Sequence, residues 1–486
     1  MSLARALALN TGVQFAGKLV STVLGVIIVG LITRQLGQEG FGMYSTANAF
    51  LQFFAIVLDL GLNVMVVQLL GEHAGDKAYE DRAVSATFTL RAISALVLLT
   101  IAPVVGLLFP YPWELKLALF AIWGSFFTTA LNQIVIGVQQ RHLKMHVVAA
   151  GEILGRVILL AGVIAARVMG WGLVPIVAIV SVGSAANFLL NILVARRYAD
   201  FRWNVDVAFW KTLLGRSWPI GVSILFNLIY FKADTLILSF VRPQADVGVY
   251  GAAYRVLEVL VTLPFMYAGI LLPVIARAWA TRDRERFGRL LGHSFDAMVL
   301  FAAPLVAGTL VLATRGMVLV AGPDFAASGD VLRILILAVG AIFFGTVSSY
   351  AIVALDAQRR MLRIYAAVAA ATLVGYVLFI PTYGLWAAAW LTVFSETCIA
   401  VAATVMTLRI SKTRWMPAAA LKAVAAATVM AAVIYPLRGM TLVVPVLAGM
   451  AVYTALILAT GAVPRATIRE ILSLRRPPPT LHNPLS

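Results

Sequence analysis

Acidic residues are scarce in this chain, and charge of either sign is thin. Asp and Glu number 21 among 486 residues, against 38 Lys and Arg, and the four together make 12% of the sequence. The single cysteine, Cys398, excludes an intrachain disulfide. Five scattered histidines and a lone thiol give no metal-ligand spacing, so no metal is expected. No phosphate-binding loop of the Walker type is present. Gly288 to Ser294 offers two glycines at a similar spacing, but His293 follows the second and no lysine is there. ATP hydrolysis is therefore not expected, nor any cofactor. No nucleophile can be paired with a base by spacing. Long polar stretches are missing too, so no independent soluble domain is expected. That disfavours a membrane glycosyltransferase or polymerase, which would need a large polar loop for its catalytic groups. The chain reads as a non-enzyme.

What fills the sequence is apolar residues, 62% of the total, where a soluble domain carries about 45–50%. They fall in runs of roughly 20, the length at which a helix matches the hydrocarbon core of a bilayer. The expected spans are 10–32, 45–70, 83–109, 114–138, 147–169 and 172–195, then 217–241, 247–276, 293–314, 331–354, 362–380 and 384–408, and finally 417–437 and 441–461. The first is too long for a signal-peptide core and is kept as a span. The fold class is all-α integral membrane, with about 14 transmembrane helices. The expected organisation is a six-helix bundle over 1–195, a connector over 196–216, a second six-helix bundle over 217–408, two additional helices over 409–461 and a disordered tail over 462–486, which contains Pro477-Pro478-Pro479.

The net charge of +17 would suggest nucleic acid in a soluble protein. Here the cations sort by side of the membrane, and no nucleic-acid partner is expected. Connections on the side shared with the termini hold roughly 25 Lys and Arg, and the other side about 7, which puts both termini in the cytoplasm.

Matching segments recur between the two six-span halves. Gly40-Phe41-Gly42-Met43-Tyr44 leads into the second span, and Asp246-Val247-Gly248-Val249-Tyr250 into the eighth. Gln139-Gln140-Arg141-His142-Leu143 follows the fourth, and Ala357-Gln358-Arg359-Arg360-Met361 the tenth. Gly172-Leu173 opens the sixth, and Gly384-Leu385 the twelfth. The offsets are about 206, 218 and 212 positions, in one order along the chain. A duplicated unit of six spans keeps its orientation, so the two bundles should be pseudo-symmetric about an axis along the membrane normal, a transporter arrangement.

These segments carry a family resemblance. Arg34-Gln35-Leu36-Gly37, Glu39-Gly40-Phe41-Gly42-Met43-Tyr44 and Asp59-Leu60-Gly61-Leu62-Asn63 are similar to the polysaccharide flippases of the MOP superfamily. So are Val247-Gly248-Val249-Tyr250-Gly251-Ala252-Ala253-Tyr254-Arg255, Gly322-Pro323-Asp324-Phe325 and Val331-Leu332-Arg333-Ile334-Leu335. The resemblance covers the whole chain. It implies two bundles around a central cavity in a bacterial inner membrane. It also implies a lipid-linked oligosaccharide on undecaprenyl pyrophosphate, flipped by alternating access. A polysaccharide polymerase or export complex is a candidate partner, besides membrane lipid. A lipid II flippase and a MATE-like drug/cation antiporter are the rival readings.

Charges inside spans are costly and usually face a protein interior or aqueous cavity. A pyrophosphate crossing such a region needs fixed positive charge. The candidate head-group residues are Lys18, Arg91, Arg156, Lys232 and Arg255; the candidate ion-coupling residues are Asp59, Glu258, Asp296 and Glu396. Glu152 with Arg156, and Arg255 with Glu258, are spaced to pair along one helix face. Thr11, Gln14, Asn227 and Tyr230 add polar groups near Lys18 and Lys232. Asn48, Gln52, Asn63, Asn132, Gln133, Asn187 and Asn191 suit either sugar hydroxyls or helix-to-helix hydrogen bonds. Pro264 and Pro273 are candidate kinks.

Overall fold

Inside lipid, only a helix or a closed barrel satisfies every backbone amide, and this chain takes the first solution. The computed structural model describes residues 3–59, 62, 65, 69, 72, 73 and 75–462, with side chains except at 3–11, 13–15 and 219–231. No strand occurs among the described residues. Asn63, the tail beyond Ala462 and the side chains of Thr11, Gln14, Asn227 and Tyr230 lie outside them.

The helices are α1 (Leu3–Asp59), α2 (Lys77–Gly106), α3 (Trp113–Arg141), α4 (Met145–Val168), α5 (Leu173–Ala195), α6 (Val207–Val241), α7 (Gln244–Ala280), α8 (Arg284–Ala321), α9 (Ser328–Ala354), α10 (Gln358–Tyr383), α11 (Leu385–Ser411), α12 (Ala418–Ile434) and α13 (Val443–Thr460). Eleven are long and apolar enough to cross a membrane, and α12 is a shorter apolar helix. Unbroken, the 57 residues of α1 would extend about 85 Å, against a hydrocarbon core of about 30 Å. Gly37 divides it at φ 65° and ψ −172°, a conformation essentially confined to glycine. Counting α1 as two passes and including α6 and α12, the described helices make the expected fourteen.

Several helices outrun their apolar sequence. Residues 33–44 were expected as a connection but are helical on both sides of Gly37. Helix α6 starts at Val207 and α8 at Arg284, well before the apolar runs at 217 and 293. Hydropathy marks only the part of a helix that lipid surrounds; the polar ends continue it into the interface. The rest of the connector is stitched to α2. Asp200 N donates to Asp81 Oδ1 at 2.9 Å, Asn204 N to Thr89 Oγ1 at 2.9 Å and Trp210 Nε1 to the Ala86 carbonyl at 2.8 Å. Ala199 and Leu213 are buried there with Ala83, Val84, Ile134 and Val138.

The chain divides into two compact units. The first covers the described part of Met1–Val259, with Met317–Leu335 and Arg359–Ile399; the second covers Leu260–Gly316, Ile336–Gln358 and the described part of Ala400–Ser486. The division passes through α7, α8, α9 and α11.

Within the first unit, small and polar residues hold helices together, as expected where lipid tails compete for apolar contacts. Ser125 Oγ lies 2.7 Å from Ser184 Oγ, and Ser181 Oγ donates to the Ala121 carbonyl at 2.6 Å. Asn191 Nδ2 donates to Asn132 Oδ1 at 3.1 Å and to Asn187 Oδ1 at 2.8 Å. These asparagines join α3 to α5. In the second unit, Ser348 Oγ sits 2.8 Å from Thr404 Oγ1 between α9 and α11.

The repeated glycines meet each other. A Cβ on Gly42 would collide with the Gln244 carbonyl and crowd the Gly248 nitrogen; one on Gly248 would collide with the Gln38 carbonyl and crowd the Gly42 nitrogen. Gln38 and Gln244 are 206 positions apart, and so are Gly42 and Gly248. The contact is therefore reciprocal, the signature of a two-fold relation. Ser45 and its counterpart Gly251 touch each other, which puts them at the axis. Both faces need glycine because the backbones of α1 and α7 approach directly.

Candidate functional site

Ion clusters inside the first unit gather most of the intramembrane charge. On α1, Lys18 Nζ reaches Glu152 Oε1 of α4 at 3.1 Å, and Ser21 Oγ donates to the same oxygen at 2.7 Å. Glu152 was spaced to pair with Arg156, but the longer-range lysine takes it. The Arg156 guanidinium lies beside Gly25 of α1, where there is no side chain to cover it. Among the described residues Arg156 has no ion-pair partner. The set Lys18, Glu152 and Arg156 thus carries one surplus positive charge.

A second set is built by α6 and α7. Lys232 Nζ and Glu258 Oε1 form an ion pair, and Arg255 Nη1 donates to Glu258 Oε2 at 2.8 Å. The i, i+3 spacing expected for Arg255 and Glu258 is realised, and Lys232 shares the same carboxylate. Lys232 also lies 4.7 Å from the centre of the Tyr254 ring, a cation–π contact. Two cations share one carboxylate, so these three residues sum to one positive charge; the nearby Asp234 is bonded to Tyr250 instead.

Arg91 behaves differently. Its side chain is 2% exposed, against 44% for Lys18, 15% for Lys232 and 34% for Arg255. Its donors go to the Ala130 carbonyl at 3.2 Å, the Leu58 carbonyl at 2.8 Å, Asp59 Oδ1 at 2.9 Å and Gln133 Oε1 at 2.5 Å. Arg91 joins α1, α2 and α3, and four of its five N–H donors are spent on these partners. Asp59 and Gln133 are engaged with it.

The remaining expected coupling acids are dispersed. Asp296, in the second unit, accepts from Trp415 Nε1 at 3.1 Å. Glu396 is buried at 6% exposure, with Oε1 lacking a hydrogen-bond partner. Asp234 is two positions from Lys232, off its helical face, and needs a partner of its own. It is fully buried and accepts from the Tyr250 hydroxyl at 2.5 Å and from Thr235 Oγ1 at 3.1 Å; Tyr250 stands 3.4 Å from Thr392 Oγ1. Lys232 and Asp234, two apart, point to different partners. Tyr250, in the second Gly-x-Tyr repeat, was the available signal for this network.

Outside the membrane, Asp206 caps the start of α6. Its carboxylate accepts from Phe209 N at 3.0 Å and from Arg82 Nε at 2.7 Å. These bonds, the backbone one first, hold its pKa below the usual carboxylate value.

An all-helical, multi-pass membrane protein with a two-fold internal relation and partly neutralised charge sets within its spans belongs to the class of membrane transporters. The model of the polysaccharide biosynthesis protein family matches residues 7–279, and that of the MatE family matches 219–381. The chain belongs to the polysaccharide biosynthesis protein family, within the MOP superfamily. It is 22% identical over 403 residues to a probable flippase, AglR, of Haloferax volcanii, covering 80% of this chain and 81% of that protein. Its fold is similar to a lipid II flippase, MurJ, in an inward closed conformation, with TM-score 0.77 and 16% identity, covering 94% and 99% of the two chains. It is also similar to an inward-facing multidrug resistance MATE transporter, with TM-score 0.65 and 15% identity, covering 83% and 98%.

Proposed function

We propose that this chain is a flippase for an oligosaccharide linked to a polyprenyl pyrophosphate such as undecaprenyl pyrophosphate. It moves the head group across a bacterial inner membrane by alternating access, with both termini in the cytoplasm. The head-group residues are Lys18, Arg156, Lys232 and Arg255, with Arg91 bracing the helices behind them. The observation that carries this reading is the charge count. Each of the two accessible sets has one surplus cation, and a pyrophosphate esterified at both ends carries two negative charges. Cargo and carrier then neutralise each other at the point where an unpaired charge would be most costly. Arg156 and Arg255 can add bidentate contacts to phosphate oxygens.

A drug/cation antiporter would need surplus negative charge at the same place, so the sign of the sets favours an anionic cargo. The sequence halves 1–195 and 217–408 act as the two moving bundles. Pro264 in α7 cannot donate to the Leu260 carbonyl, and this kink within the second bundle is the proposed hinge. Glu396, with its orphaned oxygen, is the proposed coupling acid. No covalent step is involved.

The test is flipping of a fluorescent polyprenyl-pyrophosphate oligosaccharide by the purified chain in proteoliposomes. Lys18→Gln and Arg156→Gln should each lower flux at least tenfold with insertion unchanged. Wild-type flux in both would remove them from the site. Accumulation of an inward-facing lipid-linked sugar on deleting the gene in its host would identify the glycan.

A further inference from the structure

A second concentration of positive charge lies outside the transport residues, in the second unit. The end of α7, the start of α8 and the residues joining α11 to α12 enclose an open cleft of about 720 Å³, lined by Trp279, Arg284, Arg289, Lys412 and Arg414 among others. That volume lies within the range of small-molecule sites. Arg289 is paired with Glu285. Asp283 accepts from Arg286 N at 2.9 Å, capping α8. Among the described residues Arg284, Lys412 and Arg414 have no acidic partner. Arg284 lies over the Trp279 ring at 3.2 Å, which fixes its guanidinium at the cleft wall.

The cleft is preformed. Trp415 is held by its hydrogen bond to Asp296 and packs on Phe295 at 5.3 Å and Phe344 at 5.2 Å between ring centres. Thr413 rests on Gly288, where a Cβ would push it away. Lys412 and Arg282 both have a left-handed backbone, at φ 56° and 59°. Glycine is the favoured residue for that conformation at a helix end, yet cations stand at both.

Farther along α8, that helix forms an apolar groove of about 340 Å³ with α9 and α12. Ala302 and Val306 of α8, Gly340 and Phe344 of α9, and Val424 and Ala427 of α12 line it. From Arg289 to Met298, which also lines the groove, is about 13 Å along α8. Phe344 belongs to the groove and touches Trp415, whose neighbours line the cleft. A cationic cleft at one end of α8 with an apolar groove farther along the same helix matches an amphiphile with a phosphate head.

We propose that this cleft holds the phosphate of a resident anionic phospholipid whose acyl chains lie in that groove. The lipid bridges α8 and α12, and tethers the last two helices to the rest of the second unit. It is distinct from the cargo and touches none of the proposed head-group residues.

Thermal unfolding of the full chain in neutral detergent tests this. Phosphatidylglycerol should raise the midpoint, phosphatidylcholine should not, and inorganic phosphate at equal concentration should not. Removing each cation, in Lys412→Gly, Arg414→Gln and Arg284→Gln, should raise the half-effective lipid concentration about fivefold. Glycine relaxes the left-handed position, so Lys412→Gly should keep its lipid-free midpoint, and Arg414 is exposed, which makes Arg414→Gln a second safe variant. Equal stabilisation of these variants and wild type by phosphatidylglycerol would overturn the proposal. So would an equal effect of phosphatidylcholine. Matching stabilisation by inorganic phosphate would overturn the lipid assignment, and so would displacement by a polyprenyl phosphate, which would make the occupant the cargo.

Discussion

Arg91→Met separates a brace from a ligand. The substitution keeps most of the volume and removes all the donors. Asp59 is then left as an unpaired carboxylate at the edge of a packed region, and the Gln133 amide oxygen loses its donor. The Ala130 carbonyl, inside α3, loses only a supplementary bond. Breaking a buried pair from one side costs about 3–5 kcal/mol. Asp59 is 23% exposed, which moves the expectation to the lower end, about 3 kcal/mol, or roughly 3 °C in unfolding midpoint for a chain of this length. Adding Asp59→Leu removes the stranded charge and should recover at least half of the loss, since an apolar replacement of a buried pair is often near neutral. The assay is fluorescence-detected unfolding in detergent, with flux measured on the folded fraction. The double variant should transport at close to the wild-type rate per folded molecule. If Arg91→Met instead keeps its midpoint but abolishes flux, and Asp59→Leu gives no rescue, Arg91 contacts cargo and the bracing argument is wrong.

Two further expectations follow from other parts of the fold. Gly42→Ala and Gly248→Ala should destabilise by similar amounts, about 1–3 kcal/mol each, because each drives a methyl into the opposite backbone of one reciprocal contact; a large inequality between them would disprove the two-fold relation at this point. Asp206 has a lowered pKa, so its stabilising contribution is complete above the ordinary carboxylate pKa and fades as pH falls through the lower folded value. Asp206→Asn should therefore be less stable than wild type at neutral pH, with the gap closing in acid; a gap that does not change with pH would show that Asp206 contributes nothing through its charge.

Much of the architecture was legible because lipid enforces simple rules. Apolar length gave the spans, and the break at Gly37 was marked by the glycines around it. The recurrence of Gly42 and Gly248 pointed to duplication, though not to the two glycines touching; a repeat in sequence does not say which faces meet. Pairing was legible only where it was local. Arg255 and Glu258 pair as their spacing suggests. Glu152 does not, because Lys18 on another helix competes for it, and no spacing rule reaches across 134 residues. Arg91 looked like the other intramembrane cations in sequence. Its burial depends on where three helices converge, which no single segment encodes. Helix ends were underestimated for a different reason: hydropathy falls at the interface while helix propensity continues.

The carboxylates in the two charge sets have a further consequence for a carrier that must return empty. Four bare cations in the spans would bind an anionic head group tightly, but would also face the low-dielectric barrier unneutralised once the cargo had left. Under the proposed function, Glu152 and Glu258 serve as internal counter-ions that reduce this cost in the empty state. In that proposal the pyrophosphate competes with them on loading for Lys18, Lys232 and Arg255, so the net charge stays small in both strokes. Glu258 is the more telling of the two because it holds two cations at once. Glu258→Gln should therefore strengthen cargo binding while slowing multiple-turnover flux, with the first flip after loading little changed. The split between binding and turnover is measured by comparing cargo retention in detergent with initial and steady-state flipping in proteoliposomes. Weaker binding in Glu258→Gln would mean that the carboxylate positions the cations for cargo instead of competing with it, and the argument from the empty return would fall.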